Sequence, residues 1–406
     1  MRILLISSLY GATGGGAGLT VSHLAHGLSA LGNQVVVITI GKDSQYTDTE
    51  EHGLHIYRFR PLNIYPLEGK DTEPLWKRMI WQFVDVYNFH NARMLHQILE
   101  RESPDIVHIH KMRGFSGAVW PVTCQLFPGR VIQTCHDYES ISPDGILRGA
   151  IGRMALRRQW PIRGYQLVRA RLSAAVSGVT APNAFTLNRI TNTGLFPSAK
   201  QKVIPNTHGW SQRELELIHQ KPSDFSGDNV RFLFLGRLER EKGIVELCEA
   251  FRQALDLFPL LQLDIAGWGS LDSQLRTSYG KFPNVNFLGV VNGKSKEDAL
   301  SRATVVVLSS TVDEVFPLVV AEAFAFGKPV IASNVGGLPE LIRHGETGWL
   351  VEAGNIQALT KQLQSVSQIS PLLLAEMSHN CKEISHKFSM EKILMEYIEL
   401  YRQFTE

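Results

Sequence analysis

The feature that most limits what this chain can become is a rhythm. Short apolar runs of strand length alternate with longer amphipathic stretches from one end to the other, and the pattern restarts midway. Continuous apolar runs suit strands buried on both faces of a parallel sheet, and amphipathic stretches suit the helices that cover it. The chain is therefore expected to be α/β. In the first half the expected strands are 3–8, 34–40, 55–60, 105–110, 130–134 and 173–176, with helices such as 18–31 and 75–101 between them. In the second half Val230 to Leu235, Leu261 to Ala266, Val285 to Leu288, Val305 to Leu308 and Pro329 to Ala332 read as a second set of strands.

The length of 406 residues fits two such domains. The strand rhythm breaks after Ile204-Pro205-Asn206, where His208-Gly209-Trp210 and a polar segment 211–228 follow, so the linker is placed near 206–210. The expected division is an N-terminal domain over 1–207, a C-terminal domain over 208–385 and a closing segment 386–406. The amphipathic stretch from Met390 to Phe404 is expected to return to the first domain.

Composition excludes more than it selects. A hydrophobic content of 44%, a charged content of 20% and a formal charge of +2 argue against disorder and against a nucleic-acid partner. Cys124, Cys135, Cys248 and Cys381 are scattered without a CxxC pair, as expected for reduced thiols in the cytoplasm rather than a disulfide or zinc framework. The run Ile3 to Ile6 is too short for a signal segment, and no apolar run reaches spanning length.

Ligands of open α/β sheets bind outside the carboxyl ends of the strands, so motifs there carry most weight. The densest runs from Ser309 to Ile331 and contains two glutamates eight positions apart, Glu314 and Glu322. Pro317 suits the first turn of a helix, which leaves Glu314 in the preceding loop and Glu322 more than one turn inside. The amides of Leu318 and Val319 at the helix start would suit the diphosphate of a nucleotide. Ionised carboxylates accept hydrogen bonds from hydroxyls, which suits Glu322 to a ribose and Glu314 to a sugar. Singly each is a common surface acid, but Glu322 lies among Ala321, Ala323, Phe324 and Phe326, where an acid needs partners.

A second motif, Gly236-Arg237-Leu238-Glu239-Arg240-Glu241-Lys242-Gly243, follows the strand at Val230 to Leu235. Arg237 and Lys242 would neutralise the charge on a departing nucleoside diphosphate, so that no metal is needed. Against this stands a solvated loop of alternating charge. Gly267-Trp268-Gly269 is a third loop of the same kind, either bordering a base through Trp268 or simply turning the chain.

These residues resemble the large retaining glycosyltransferase family 4, with the GT-B fold. The resemblance rests on the E-x7-E motif at Glu314 and Glu322, then Gly327-Lys328-Pro329-Val330, Gly336-Gly337-Leu338-Pro339-Glu340 and Gly345-Glu346-Thr347-Gly348, in that order. It is closest from about 230 to 352 and looser in the first half. It implies two Rossmann-like domains facing a central cleft and transfer of a sugar from a UDP- or GDP-sugar with retention, without a cofactor or bound metal. It further implies that the acceptor hydroxyl meets the sugar face that the diphosphate leaves. By the same resemblance Arg237 and Lys242 bind phosphate, Glu322 binds ribose, Glu314 lies at the donor sugar, and the loop from Phe316 to Val319 contacts phosphate.

In the first half, Gly14-Gly15-Gly16-Ala17-Gly18 follows the first strand and looks like the family's glycine-rich loop, with Gly15 and Gly16 against the donor. His136, followed by Asp137 after the strand at 130–134, resembles the family's sugar-contacting histidine. Pro205-Asn206-Thr207-His208 departs from the family's usual turn. Arg148, Arg153, Arg157, Arg158, Arg163, Arg169 and Arg171 stand without an acidic residue among them and are expected to attract an anionic acceptor, such as a lipid-linked glycan, or a membrane surface at the inner face. Acceptor choice is expected to lie in loops 61–74 and 138–165. The rival readings are an epimerase or phosphorylase of the same architecture, and a binding subunit without turnover.

Overall fold

A computed structural model describes residues 1–11, 14–41, 46–66, 73–143, 145, 160–220 and 230–406. It divides into two compact units, one made of the described residues as far as Gly209 together with Met390–Glu406, the other of Trp210–Ser389.

The N-terminal unit is built on an eight-stranded sheet of order β3-β4-β2-β1-β5-β6-β7-β8, all parallel except β3. Its elements run β1 (Arg2–Ile6), α1 (Gly15–Ala30), β2 (Gln34–Ile40), β3 (Thr47–Glu51), β4 (Leu54–Phe59), α2 (Leu75–Val86), α3 (Phe89–Glu102), β5 (Ile106–Ile109), α4 (Val119–Leu126), β6 (Val131–Thr134), α5 (Trp160–Leu172), β7 (Gly178–Ala181), α6 (Ala184–Thr191) and β8 (Lys200–Val203). Ile3, Leu4, Leu5 and Ile6 have no exposed surface, the expected outcome for an apolar run paired on both sides.

The second unit has a six-stranded, wholly parallel sheet of order β11-β10-β9-β12-β13-β14. It contains α7 (Gln212–His219), β9 (Arg231–Leu235), α8 (Ile244–Leu255), β10 (Gln262–Ala266), α9 (Asp272–Tyr279), β11 (Val285–Gly289), α10 (Lys294–Arg302), β12 (Val305–Leu308), α11 (Leu318–Ala325), β13 (Val330–Ser333), α12 (Leu338–Leu341), β14 (Gly348–Val351), α13 (Ile356–Ser367) and α14 (Pro371–Ser385). The chain then enters α15 (Met390–Thr405), which packs against α1 of the first unit's core. Ile393, Leu394, Tyr397, Ile398, Leu400 and Tyr401 form its buried stripe, at helical spacing.

Several elements differ from their sequence expectation. The strand expected at 173–176 is instead the turn leaving α5, where the Ser173 amide donates to Arg169 and the Val176 amide to Ser173; the strand is the next apolar run, β7. The helix expected over 75–101 is two helices. Tyr87 is extended, and Asn88 starts α3 by accepting the Asn91 amide at 3.1 Å. Helix α1 begins at Gly15 rather than at 18. Polar β3 and β8 went unforeseen because each lies at a sheet edge, where one side meets water. The short β14 also went unforeseen. Pro317 stands just before α11 rather than within its first turn.

Candidate functional site

In the second unit, the loops leaving β9, β10 and β12 are tied to one another. The Gly236 amide donates to Ala266, the Leu238 amide to Trp268 and the Thr311 amide to Glu241. Gly243 ends the turn Arg240–Lys242 with φ +64°, and a Cβ there would stand 1.8 Å from the Ser309 carbonyl oxygen. Only glycine fits this approach. Ser309 Oγ completes the seam by donating to the Gly243 carbonyl at 2.8 Å.

This seam brings Lys242 to Glu314. Lys242 Nζ lies 2.6 Å from Glu314 Oε1, which also accepts from Ser310 Oγ at 2.5 Å. The backbone of Glu314 is held from the far side, where its carbonyl accepts the Gly337 amide at 2.7 Å and a Cβ on Gly336 (φ +58°) would come within 2.2 Å of that oxygen. The Gly336-Gly337 pair thus has a local reason: it permits the backbone approach that positions an acid.

Glu322 lies inside α11 with its side chain 7% exposed, and Lys296 Nζ of α10 meets its Oε1 at 2.6 Å. Lys296 also stands 5.9 Å from the Trp210 ring. An acid in a helix whose other residues from Val319 to Ala325 are buried and apolar is tolerable only with such a partner. Sequence reasoning missed Lys296 because it lies 26 residues before Glu322, on a neighbouring helix and outside every local motif.

The remaining candidates are placed unequally. Arg237 is exposed and pairs with Glu241 at 3.0 Å, so it does not share Lys242's partner. Trp268 is largely exposed at the mouth of the β10 loop. Phe316 turns inward, its ring 5.5 Å from Phe388, which leaves only its backbone for a ligand. Leu318 and Val319 open α11, where first-turn amides have no intrahelical acceptor. Lys328 is buried, donates to the Ser301 carbonyl at 3.0 Å, and is pushed down to about 8 by burial and then by Lys382.

In the first unit, Gly15 and Gly16 are exposed at the start of α1, and Gly15 has φ +64° with no described atom within 4 Å of where a Cβ would stand. His136 follows β6, its Nε2 2.9 Å from His110 Nδ1 and the two rings stacked at 5.2 Å. His136 Nδ1 and His110 Nε2 are buried atoms without a hydrogen-bond partner among the described residues. Burial, and then the Lys111 ammonium, push His136 down to about 4, so its imidazole is neutral near pH 7. The line continues inward, with His108 between Tyr401 and Thr134 at 2.7 Å each. The sequence marked His136, but its partner His110 stands just after β5, and the distant helix α15 reaches the line only at His108, through Tyr401.

Of the arginine-rich segment, Arg148, Arg153, Arg157 and Arg158 lie outside the described residues, as do parts of loops 61–74 and 138–165. Arg163 and Arg171 are exposed on α5. Arg169 corrects the expectation of a surface cation. It is 2% exposed, sits 4.7 Å from the Tyr165 ring and faces Asp85 at 3.9 Å. Among the described residues, no helix is long and apolar enough to cross a membrane, and no cluster of three or more His, Cys, Asp or Glu could hold a metal ion.

Comparison with known proteins agrees with this architecture. A 42.6 kDa protein encoded in the cps region of Klebsiella pneumoniae is 29% identical over 84% of this chain and 88% of its own length. A glycosyltransferase of Methanocaldococcus jannaschii is 28% identical over 96% of this chain and 94% of its own. The structure of Anabaena HepE in complex with UDP superposes with a TM-score of 0.71 at 20% identity, covering 99% of this chain and 100% of that one. Residues 15–207 match the family model described as glycosyl transferase 4-like domain, and residues 217–388 match glycosyl transferases group 1. The two matches follow one another along most of the chain, which is a glycosyltransferase of the group 1 type with the GT-B fold.

Proposed function

We infer that the protein transfers a sugar from a nucleotide-sugar donor, with a UDP-sugar the first candidate, to a hydroxyl of a glycan or lipid-linked acceptor, and that it retains the anomeric configuration. The observation that carries the reading is the pairing of Lys242 with Glu314 and of Lys296 with Glu322, in one loop–helix unit at the carboxyl end of a parallel sheet. The complex of HepE with UDP supports the choice of nucleotide.

In this reading the amides of Leu318 and Val319 and the backbone at Phe316 and Pro317 face the diphosphate, and Arg237 and Lys242 balance its charge. Glu322 accepts from the ribose through the oxygen that Lys296 leaves open, Glu314 accepts from the donor sugar, and Trp268 borders the base. Gly15 and Gly16 allow close approach of the α1 backbone to a ligand. His136 offers its unpartnered Nδ1 to a sugar hydroxyl. The two cations serve in place of a metal ion, and a phosphate oxygen of the leaving group takes the acceptor's proton.

The test is thermal unfolding of the wild type and of Glu322→Ala with UDP, GDP and ADP, in EDTA and then with Mg²⁺. A ligand at a hundred times its dissociation constant adds about 2.7 kcal/mol to the state that binds it. A shift in EDTA for one nucleotide, lost in the variant, is expected; the absence of any shift would remove the donor site. Transfer with inversion, or a covalent sugar adduct on Glu314, would overturn the mechanism.

A further inference from the structure

Helix α2 carries apolar side chains on two faces, and among the described residues only one is covered. On the inner face Trp81 is buried and donates through Nε1 to the Tyr65 carbonyl at 3.0 Å, while Asp85 Oδ1 accepts the Gly114 amide at 2.9 Å. On the outer face Trp76, Met79, Ile80 and Phe83 are exposed by 60%, 65%, 44% and 81%. Their spacing, i, i+3, i+4 and i+7, puts all four on one stripe. A water-facing stripe of this kind costs solubility and marks a surface that meets an apolar medium.

The stripe does not stand alone. Helix α2 packs against α5, which exposes Leu167 and Val168 together with Arg163 and Arg171. The loop before α2 is tied to it where Asn63 Nδ2 donates to the Trp81 carbonyl at 3.3 Å, and this loop exposes Leu62 and Ile64. Cations border the apolar area. Lys77 stands 5.8 Å from the Trp76 ring and pairs with Glu73 at 2.9 Å, and Arg78 follows it on α2.

We propose that the outer face of α2, with its α5 neighbour, is a docking surface for an anionic lipid bilayer. The apolar stripe would enter the acyl boundary while Lys77, Arg78, Arg163 and Arg171 meet the headgroups. An in-plane helix with large apolar side chains on one face and basic residues at its edges matches this medium on both counts. A second copy of the chain fits less well, because a twofold contact centred on the stripe would bring the same cations toward one another. The proposal goes beyond the transfer reading and holds whichever sugar is moved.

The experiment is sedimentation of the full chain with vesicles of phosphatidylcholine alone and of phosphatidylcholine mixed with phosphatidylglycerol. The wild type is expected in the pellet with the mixed vesicles and far less with the neutral ones. Met79→Ser combined with Phe83→Ser should lower the partition coefficient roughly tenfold or more. Arg163→Glu with Arg171→Glu should remove most of the preference for phosphatidylglycerol and its salt dependence.

The thermal shift given by UDP is to be measured on every variant. If it is intact while vesicle binding is lost, the surface and the donor site are separate; its absence in the wild type would count against the transfer reading alone. Brominated lipid should quench the emission of the wild type, and less so that of Trp76→Phe, a variant that keeps an aromatic ring on the helix. Wild type that stays in the supernatant with both vesicles, or a serine variant that binds as well as wild type, would overturn the proposal. So would a concentration-dependent dimer that Phe83→Ser dissolves, which would give the face to a second copy.

Discussion

Glu314 and Glu322 in the C-terminal unit each meet a lysine, whereas His108, His110 and His136 in the N-terminal unit meet one another and neutral hydroxyls. The first arrangement sets opposite charges side by side, which suits a diphosphate ligand. The second holds neutral polar atoms in a dry setting, where each imidazole presents one donor and one acceptor. The difference teaches that one chain can prepare two polar surfaces by opposite means, and that they should fail under different insults.

The largest expected effect falls on the charged surface. Glu314→Gln keeps an acceptor for Ser310 and Lys242 but removes the charge that the proposed reading sets beside the donor sugar. The rate of UDP release from a UDP-sugar is expected to fall by roughly two to three orders of magnitude, with UDP affinity little changed. An equal loss of UDP affinity would place Glu314 at the nucleotide instead. Lys242→Met should fall in the same range, and the double variant should fall no further than the worse single one, because the two act as a unit.

Next in size is a contrast between two glycines that share φ +64°. Gly243→Ala meets the backbone of Ser309 at 1.8 Å and must part the seam that carries Lys242, so urea unfolding should show a loss of roughly 3 kcal/mol or more. Gly15→Ala has the same backbone angle with open space around it, and should cost only about 1 kcal/mol, the strain of a left-handed alanine. Equal losses would mean that strain, not the seam, governs the first position.

Which of these features were legible in the sequence follows from how local each cause is. The buried strands were visible because β1, β9 and β12 are continuous apolar runs, and the placement of Glu314 in a loop and Glu322 in a helix was visible because Pro317 marks the boundary. The edge strands β3 and β8 were not, since half-wet strands lack that signature. Lys296, Ser310 and His110 were missed for another reason: each matters through a partner brought near by folding. The burial of Arg169 had no sequence signal either, because its neighbours Trp120 and Asp85 come from other helices.

The smallest effect at neutral pH comes from the histidines, and it grows only on acidification. Burial holds His108 and His110 well below the ordinary value of 6.5 and His136 at about 4. Between pH 6.5 and about 4 the unfolded chain therefore binds protons that the folded chain refuses, so stability is lost as pH falls through that window. Asp137, lowered by Lys111 despite its burial, adds its loss only below the ordinary aspartate value of 3.8. The C-terminal unit has one histidine held low in the same way, His219, also at about 4. Its Lys328, by contrast, titrates at the alkaline end. With a folded value near 8 against 10.5, it makes stability rise as pH climbs between the two. Hydrogen exchange resolved by strand should show protection of β1, β5 and β6 falling from pH 6.5 toward 4.5 more steeply than that of β9 and β12. His110→Asn should flatten the N-terminal slope without touching the C-terminal one. Equal slopes in the two sheets would mean that the neutral histidine line does not set the acid response of its unit.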